Sequence, residues 1–481
     1  MSLSSALFSG ISGLDALGNS MTVIGDNIAN VNTVGFKASR VTFQDVLSQT
    51  VATTSGTTQV GRGTSLADIS SSFTQGSFES TDSTTDLGIG GEGFFVVRDP
   101  STAENDFYTR SGEFRFDKDG NFANPAGYIV RGWALDSDTG EDQGSITDIK
   151  LTSFTSSPKA TDTITMITNL DSDGENNTAG ADTSLSMLWN ATSAPPLGES
   201  AYEYQSTVKV YDSLGTTHDV TIYYDKADTA LTYEFIVTCN PEEDGRGPVP
   251  TSTGAGMLGR GTVTFSNDGV ITDVNMERFY TAGVDWNIAT AGNWDPLVEG
   301  GAGDMTDGYF TFQPRFTSGA ALDIKLGIGV RHDGTSWVPD SLSTTQYSSA
   351  STTVFQSANG YGAGDLQSIT VGTDGVITGQ YSNGQVIPLY RVALAKFQNN
   401  QGLFKVGGNL FRSTRLSGDP ITGKPGTNGV GSISPNSLEQ SNVDIATEFV
   451  RMITTQRGYQ ANSKVITTTD QMLSELINLK R

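Results

Sequence analysis

The sequence has very little of the residue types that build disulfides and metal centres. Cys239 is the single cysteine among 481 residues, so no disulfide can form within the chain. The two histidines, His218 and His332, lie far apart, and neither has a Glu or Cys neighbour at the spacing of a zinc site. Cys239 sits beside a predicted strand, where a small buried apolar residue is expected more often than a nucleophile. We therefore expect no metal ion and no cofactor.

Long apolar runs are also missing. No stretch approaches the roughly 18 continuous apolar residues of a membrane span. The first residues lack the basic segment and continuous apolar segment of a secretory signal peptide, because their apolar residues are spaced apart. We expect neither membrane insertion nor a cleavable signal.

Basic residues are scarce. The chain has 29 Lys and Arg against 53 Asp and Glu, which gives a formal net charge of −24. Residues 1–50 contribute −1 (two basic, three acidic) and residues 437–481 contribute 0 (five basic, five acidic), so the middle carries −23. An acidic middle repels phosphates and argues against nucleic acid as a partner. The nearly neutral ends are suited to packing together.

Patterns typical of ligand sites are weak. Gly88, Gly90 and Gly93 spell a G-x-G-x-x-G motif, but a predicted strand follows it where a dinucleotide site needs a helix, which favours a turn. Two acidic clusters faintly resemble calcium loops but lack the bidentate Glu at position twelve: Asp117 with Asp119, and Asp171 with Asp173 and Glu175. No acid–base, nucleophile or metal constellation emerges, so an enzyme is not expected.

Residues 3–31 carry the strongest positive signal, an apolar stripe repeating every four and three residues. Its members are Leu3, Leu7, Gly10, Leu14, Leu17, Met21, Ile24, Ile28 and Val31. A sustained repeat of 3.5 residues predicts a helix that winds around other helices. Gly10, Gly13, Gly18 and Gly25 each cost about 1 kcal/mol relative to alanine. We expect this helix to need partners, and to end near Gly35 in a left-handed conformation.

The C-terminal residues hold a second stripe. Its apolar members are Ile445, Phe449, Met452, Tyr459, Ile466, Leu473 and Ile477, and its polar members are Gln456, Ser463 and Asp470. Asn442 is a suitable N-cap, and Asp444 and Glu448 place negative charge early in the helix. No other segment is helical enough to cover both stripes. We therefore expect the two helices to lie side by side and to become ordered on assembly.

The residues between the stripes predict a β-rich body, with alternating or apolar runs such as 94–97 and 389–395. The fold class is multidomain α+β, with a helical coiled-coil domain from both chain ends and nested all-β domains in the middle. We divide the chain into residues 1–34 and 437–481 (inner helical domain), 35–78 (extended connecting segment), 79–154 and 351–436 (β-rich inner domain), and 155–350 (one or two inserted all-β outer domains).

Four stretches together resemble the bacterial flagellar rod and hook protein family. The first is the 25–37 motif, whose signature residues are Asn27, Ile28, Ala29, Asn30, Asn32, Thr33, Gly35, Phe36 and Lys37. Residues 86–97 with 108–112, and residues 401–418, are similar to two blocks of the family's β domain. Residues 442–462 are similar to its C-terminal helix. The four stretches occur in the family's order at both ends of the chain.

The resemblance implies a structural subunit. The length and the large insertion resemble the hook members, and residues 210–218 are similar to a segment of their outer domain. Such a subunit is expected to polymerise with itself into a curved tube that transmits torque from rod to filament, outside the cell. The implied partners are flagellar rod proteins, a hook cap protein, hook–filament junction proteins and the flagellar export apparatus.

Two alternatives remain open. A distal rod protein of the same family is the nearer one, although such proteins are shorter. A secreted β-rich adhesin with oligomerising terminal helices is the other. Deleting residues 1–30 separates them, because an adhesin would keep its target binding whereas a hook subunit would lose polymerisation.

Overall fold

The fold is that of a computed structural model, which describes residues 3–53, 56–101, 105–178, 184–246, 252–279, 286–297, 305–316 and 319–478. The chain divides into two compact units. The first unit comprises Met1–Phe154 with Leu366–Arg481, and the second unit comprises Thr155–Asp365. Across the described residues, a long α-helix lies at each end of the chain and β-strands dominate the rest.

The first part of the chain is one long helix followed by short strands. Helix α1 is Leu3–Ala29. The strands are β1 (Ser39–Asp45), β2 (Gln49–Thr53), β3 (Gly56–Val60), β4 (Thr64–Ser71), β5 (Phe78–Ser80), β6 (Leu87–Gly90), β7 (Phe94–Arg98), β8 (Asp106–Thr109), β9 (Arg115–Phe116), β10 (Phe122–Ala123), β11 (Ile129–Leu135) and β12 (Asp142–Asp148). β1 pairs antiparallel with β4, and β2 with β3, so these four strands form two antiparallel ribbons.

The middle of the chain forms the second unit. Its strands are β13 (Thr155–Ser156), β14 (Thr163–Asp171), β15 (Tyr204–Tyr211), β16 (Thr217–Lys226), β17 (Thr232–Cys239), β18 (Met257–Phe265), β19 (Ile271–Phe279), β20 (Trp294–Pro296), β21 (Met305–Thr306), β22 (Tyr309–Phe312), β23 (Ile324–Gly327), β24 (Val330–His332), β25 (Trp337–Pro339), β26 (Thr345–Tyr347) and β27 (Thr352–Ala358). β15 to β20 pair in sequence order as one antiparallel sheet. A second sheet is built around β14.

The last part of the chain returns to the first unit. Its strands are β28 (Gly364–Val371), β29 (Val376–Tyr381), β30 (Val386–Val392), β31 (Leu394–Lys396), β32 (Phe404–Gly407), β33 (Leu410–Arg412), β34 (Ile421–Gly423), β35 (Ser432–Pro435) and β36 (Ser437–Glu439). Helix α2 is Ile445–Asn478. The main sheet of the first unit has the neighbour order β28-β29-β30-β11-β7-β8-β33-β32.

Strand β7 shows how the first unit is stabilised. Phe95 and Val97 belong to one buried apolar cluster, while Phe94 and Val96 belong to another. Successive side chains of a strand point to opposite faces, so a continuous apolar run is the pattern of a strand covered on both sides. This explains why residues 94–97 are apolar without alternation.

Strand β17 shows how the second unit is stabilised. Tyr233, Phe235 and Val237 enter its largest buried cluster, and Ile236 enters a second cluster that contains tryptophans. Tyr233 and Phe235 are at most 2% exposed. The second unit therefore has its own core, with apolar side chains buried on both faces of its antiparallel sheet.

Three details differ from the sequence-based division. Residues 351–365 contain β27, which pairs with β14 of the second unit, because residues 352–358 form ladder hydrogen bonds along residues 164–169. Residues 437–439 form β36, which pairs with β5, so the C-terminal helix begins only at Ile445. The first helix ends at Ala29, and Val31 lies in the turn that follows. The remaining domain boundaries stay predictions.

The helix ends agree with the sequence in one case and differ in the other. Gly35 has a φ of +71°, the left-handed conformation expected after α1. Asn442 is not the N-cap of α2, because it lies three residues before the helix begins. Instead, the Asp444 carboxylate accepts a hydrogen bond from the Thr447 N–H at 3.0 Å, the bond an N-cap residue makes.

Candidate assembly site

Asn27 lies in the last turns of α1, and its side chain joins the end of that helix to β1 through hydrogen bonds. Its side chain is 1% exposed and bonds the Ser39 backbone twice. The amide oxygen accepts from the Ser39 N–H at 2.8 Å, and the amide nitrogen donates to the Ser39 carbonyl at 2.8 Å. The amide nitrogen also lies 3.4 Å from a carboxylate oxygen of Glu448, on α2. One asparagine thus joins the end of α1, the start of β1 and the first turn of α2.

The middle of the 25–37 motif forms a self-contained turn. The Asn30 amide donates to the backbone carbonyl one turn earlier at 2.9 Å, and its oxygen accepts from the Thr33 hydroxyl at 3.1 Å. Ile28 is half-buried, while Ala29 and Asn32 are exposed. Local side-chain bonds of this kind compete with further helix and end it here.

Gly35 and Phe36 are held by the β-strands. The Gly35 N–H donates to the Glu439 carbonyl at 2.7 Å. A Cβ on Gly35 would lie 2.6 Å from the carbonyl carbon of Arg110, so any side chain would collide with backbone. Phe36 is buried, with the Lys405 ammonium 5.4 Å from its ring centroid. Both the left-handed φ and the close approach require glycine at position 35.

Lys37 is the last residue of the motif and belongs to a buried ion cluster. This cluster, here called the tail cluster, consists of Lys37, Arg110 and Glu439. The Glu439 carboxylate lies 2.6 Å from the Lys37 ammonium and 3.1 Å from the Arg110 guanidinium. The side chains of Lys37 and Glu439 are 0% exposed, and that of Arg110 is 4% exposed. The cluster joins the segment after α1, the residue that follows β8, and β36, the strand before α2.

Burial and charge oppose each other in the tail cluster. Burial lowers the pKa of Lys37 below its usual value, and Glu439 works against that shift through a hydrogen bond and its charge. Burial likewise lowers the pKa of Arg110, again opposed by Glu439. Two cations share one carboxylate, so removing Glu439 would leave Lys37 without its ion-pair partner. It would leave Arg110 with only the charge of Glu92, which also pairs with Lys396. Breaking a buried pair in this way costs about 3–5 kcal/mol.

Asn442 ties the C-terminal segment to residues 38–74. Its side-chain oxygen accepts from the Ala38 N–H at 2.8 Å. Its side-chain nitrogen donates to the carbonyls of Ser72 at 2.9 Å and Thr74 at 3.0 Å. These bonds to the backbone, rather than helix capping, account for the asparagine at position 442.

Helices α1 and α2 approach closely at glycine positions. A Cβ on Gly10 would lie 3.1 Å from Ile466 Cγ1, and one on Gly13 would lie 2.8 Å from Asn462 Nδ2. On the other helix, a Cβ on Gly458 would lie 3.2 Å from Leu17 Cδ1. From the sequence, Gly10 and Gly13 were treated as a cost to the helix and Gly458 was not considered; in the structure, all three let the two backbones pack close together. The position of Gly10 on the apolar stripe was the available signal.

The predicted stripe residues fall into different environments. On α1, Ile24 is buried and Leu7, Leu14, Leu17, Met21 and Ile28 are half-buried, as is Val31 just beyond the helix; the Leu3 side chain lies outside the described residues. On α2, Met452, Ile466 and Leu473 are half-buried, whereas Ile445, Phe449, Tyr459 and Ile477 are 46–65% exposed. The single chain therefore covers only part of the second stripe.

Large apolar side chains remain exposed on both helices, and we call this set the open helix face. It consists of Phe8 and Ile11 on α1, and Ile445, Phe449, Val450, Ile453, Tyr459, Val465, Met472 and Ile477 on α2. Phe8 is 63% exposed and Val450 is 61% exposed. Ile445, Phe449 and Ile453 follow one another at four-residue spacing, so they lie along one side of α2. Exposed apolar residues grouped in this way are typical of a protein-interaction surface.

The residues considered for chemistry occupy ordinary structural positions. Cys239 is buried, and burial raises the pKa of its thiol to about 12. The His218 ring stacks on Phe316 at 3.8 Å between centroids and bonds Glu243 at 2.6 Å. His332 lies against the Trp337 ring. Within the described residues, no three His, Cys, Asp or Glu side chains gather in a way that could hold a metal ion.

Gly88 and Gly90 lie in β6, and the turn expected from the sequence is confined to residues 91–93, which lead into β7 with no helix after them. Among the helices that the structure describes, none combines the length and apolar character needed to cross a membrane.

Four protein-family models match successive parts of the chain. They are the flagella basal body rod protein (residues 7–37), the flagellar hook protein FlgE/F/G D1 domain (88–168), the flagellar basal body protein FlaE D2 domain (181–361) and the flagellar basal body rod FlgEFG protein C-terminal region (434–479). The first and last of these cover α1 with its motif and α2. The matches define the class as a flagellar rod and hook protein.

Full-length relatives narrow the class. The chain is 32% identical to the flagellar hook protein FlgE of Borreliella burgdorferi and 32% identical to that of Treponema pallidum, in each case over 99% of both chains. It is 30% identical to that of Salmonella typhimurium over 98% of both chains. The chain belongs to the flagellar hook protein FlgE family and is a structural subunit of the hook. The sequence-based identification of family and function is confirmed.

Proposed function

We propose that this chain polymerises with copies of itself through α1 and α2, and that these helices form the inner helical domain of a curved tube that transmits torque from rod to filament. The observation that carries the proposal is the open helix face. Its apolar side chains are exposed on a pair of helices that are already in contact with each other. Burying one large apolar side chain contributes about 1.5–3 kcal/mol, so covering several of them by neighbouring copies would be strongly favourable.

The partners follow from this role. We propose that copies of the chain are its main partner, with flagellar rod proteins at one end of the tube and a hook cap protein and hook–filament junction proteins at the other. Delivery would use the flagellar export apparatus, which places the subunit outside the cell. No catalytic activity forms part of the proposal. Contacts between neighbouring copies that repeat without closing generate a helical tube.

The helical packing within the tube is proposed to be of the coiled-coil type. The heptad positions of α1 support it, because their half-buried leucines lie along one side of the helix. The exposed members of the second stripe support it as well, since neighbouring copies could cover them.

Deleting residues 1–30 tests the proposal. We expect loss of polymerisation, measured by electron microscopy and sedimentation, with the thermal unfolding of the second unit unchanged. The deletion of residues 445–478 should have the same effect. A truncated chain that still builds tubes would overturn the proposal, and the second unit's transition provides the control for folding.

A further inference from the structure

Glu439 is bonded by segments from both ends of the chain. Its carboxylate accepts from the Lys37 ammonium at 2.6 Å, the Arg110 guanidinium at 3.1 Å and the Gly76 N–H at 2.9 Å. Its backbone carbonyl accepts from the Gly35 N–H at 2.7 Å. Lys37 and Gly76 lie at the two ends of the segment that follows α1. Glu439 itself lies six residues before α2.

The partners of Glu439 have few alternatives for their charge. Lys37 also donates to the Thr74 carbonyl at 2.8 Å, and Arg110 to the Gly91 carbonyl at 2.7 Å, but neither side chain makes a second ion pair in the described part of the chain. Without Glu439, the charges of two almost completely buried cations would repel each other, and the charge of Glu92 would act on Arg110 alone. Water would have to enter, or the Lys37 segment would have to leave.

We propose that Glu439 is a positioning residue that couples the ordering of the two chain ends. The segment after α1 reaches its place only when the strand before α2 supplies the carboxylate, and that strand is in turn held by the N-terminal segment. Neither helix is then correctly placed while the other end of the chain is missing. The coupling keeps a partly folded subunit from presenting one helix alone to a growing polymer.

Hydrogen exchange on the full-length chain tests the coupling. In Glu439→Gln, backbone exchange should rise by at least about tenfold both in residues 33–39 and in residues 437–448, because two buried cations lose their counterion. Glu475→Gln is the matched control, because Glu475 is exposed on α2 and lies outside both measured regions. It removes the same charge and should leave both regions protected.

A second background separates ionic coupling from general loosening. Lys37→Met leaves the Arg110–Glu439 pair in place and should remain folded. In that background, Glu439→Gln should change exchange in residues 33–39 by no more than about threefold, because no lysine is left without its counterion. An equal effect in both backgrounds would overturn the proposal. So would faster exchange confined to residues 437–448.

This inference builds on the proposed function only where it concerns the polymer. Sedimentation of Glu439→Gln should show a raised threshold concentration for polymerisation, and Glu439→Asp, which keeps the charge on a shorter side chain, should recover part of the loss. If the exchange results hold while deletion of residues 1–30 leaves polymerisation intact, the coupling stands and the proposed function fails. Normal exchange in Glu439→Gln together with lost polymerisation in the deletion would overturn the coupling and leave the proposed function standing.

Discussion

The helix pair and the second unit solve the problem of burying apolar surface in opposite ways. In the second unit, the sheet β15–β20 has a buried cluster on each face, and side chains as large as Tyr224 and Tyr233 are fully covered. In the helix pair, Phe8, Phe449 and Val450 are about half exposed or more. The second unit is complete within one chain, whereas the helices leave surface for other copies to cover. Stability and assembly are therefore assigned to different parts of the same molecule.

The largest effect should come from the core of the second unit. Phe235 is 2% exposed, and Phe235→Ala should destabilise that unit by about 3–5 kcal/mol because a large cavity opens. Chemical denaturation followed by tryptophan fluorescence measures it. Leu342→Ala, at a site 53% exposed in the same unit, should stay within about 0.5 kcal/mol. If Phe235→Ala chains that are still folded failed to polymerise, the conclusion that the second unit provides stability and the helices provide assembly would be wrong.

A substitution in the open helix face should weaken polymerisation without unfolding the single chain. Phe449→Ser should destabilise the single chain by no more than about 1.5 kcal/mol, because Phe449 is 48% exposed and only its covered half loses contacts. It should also weaken each subunit contact by about 0.8–1.5 kcal/mol, roughly half the value of burying a whole phenylalanine. The threshold concentration for polymerisation, read by sedimentation, would then rise about fourfold to tenfold. An unchanged threshold would show that this part of α2 stays uncovered in the tube.

Two glycines of α1 allow a position that packs against α2 to be compared with one that does not. A Cβ added at Gly18 would meet no atom within 4 Å, so Gly18→Ala should stabilise α1 by about 1 kcal/mol through helix propensity alone. Gly13→Ala should gain less or become unfavourable, because its Cβ would press on Asn462. Circular dichroism during thermal unfolding compares the two. Equal gains would mean that α1 and α2 are not closely packed at position 13.

The smallest effect concerns pH and the second unit alone. Burial raises the pKa of Glu203 above its usual value, although hydrogen bonds from Tyr233 and Ser351 oppose the shift. The folded state therefore binds the Glu203 proton more tightly than the unfolded state does. The stabilisation that comes from protonated Glu203 is fully present below the pKa of the unfolded state, and it is lost as the pH rises through the raised pKa of the folded state.

Glu203→Gln removes that titration. The variant should be more stable than the natural chain at pH 7, by at most about 1 kcal/mol after solvent screening, and the difference should disappear near pH 4. Thermal unfolding at the two pH values measures it. Glu199→Gln, at an exposed carboxylate nearby in sequence, serves as the control for the removal of one negative charge.

Periodicity predicted the helices and the β-rich body because those signals are local. The four-three repeat placed α1 within two residues of its observed end, and the apolar run at residues 94–97 became β7. Strand pairing between distant segments leaves no such trace. The pairing of β27 with β14 brings residues 352–358 into the second unit, and nothing in their own sequence indicates it.

The sequence indicates which residues belong to the candidate site, but it does not indicate the contacts between them. The 25–37 motif was recognised residue by residue, yet Lys37 finds its counterion 402 positions away at Glu439. An isolated acidic residue in a strand has no periodic signature, so the tail cluster could not be read from spacing. The glycines at positions 10 and 13 allow the close approach of α2, but from the sequence both were interpreted as lost helix propensity and Gly10 also as a stripe position.

The burial of Cys239 has a practical consequence. A thiol with 5% exposure and a pKa raised to about 12 has almost no reactive thiolate at neutral pH. A cysteine introduced on the surface would therefore be the one thiol that a maleimide dye or spin probe could reach. The natural cysteine would not react with the label, so it would not have to be replaced first. Distances between subunits could then be measured from the introduced cysteine alone.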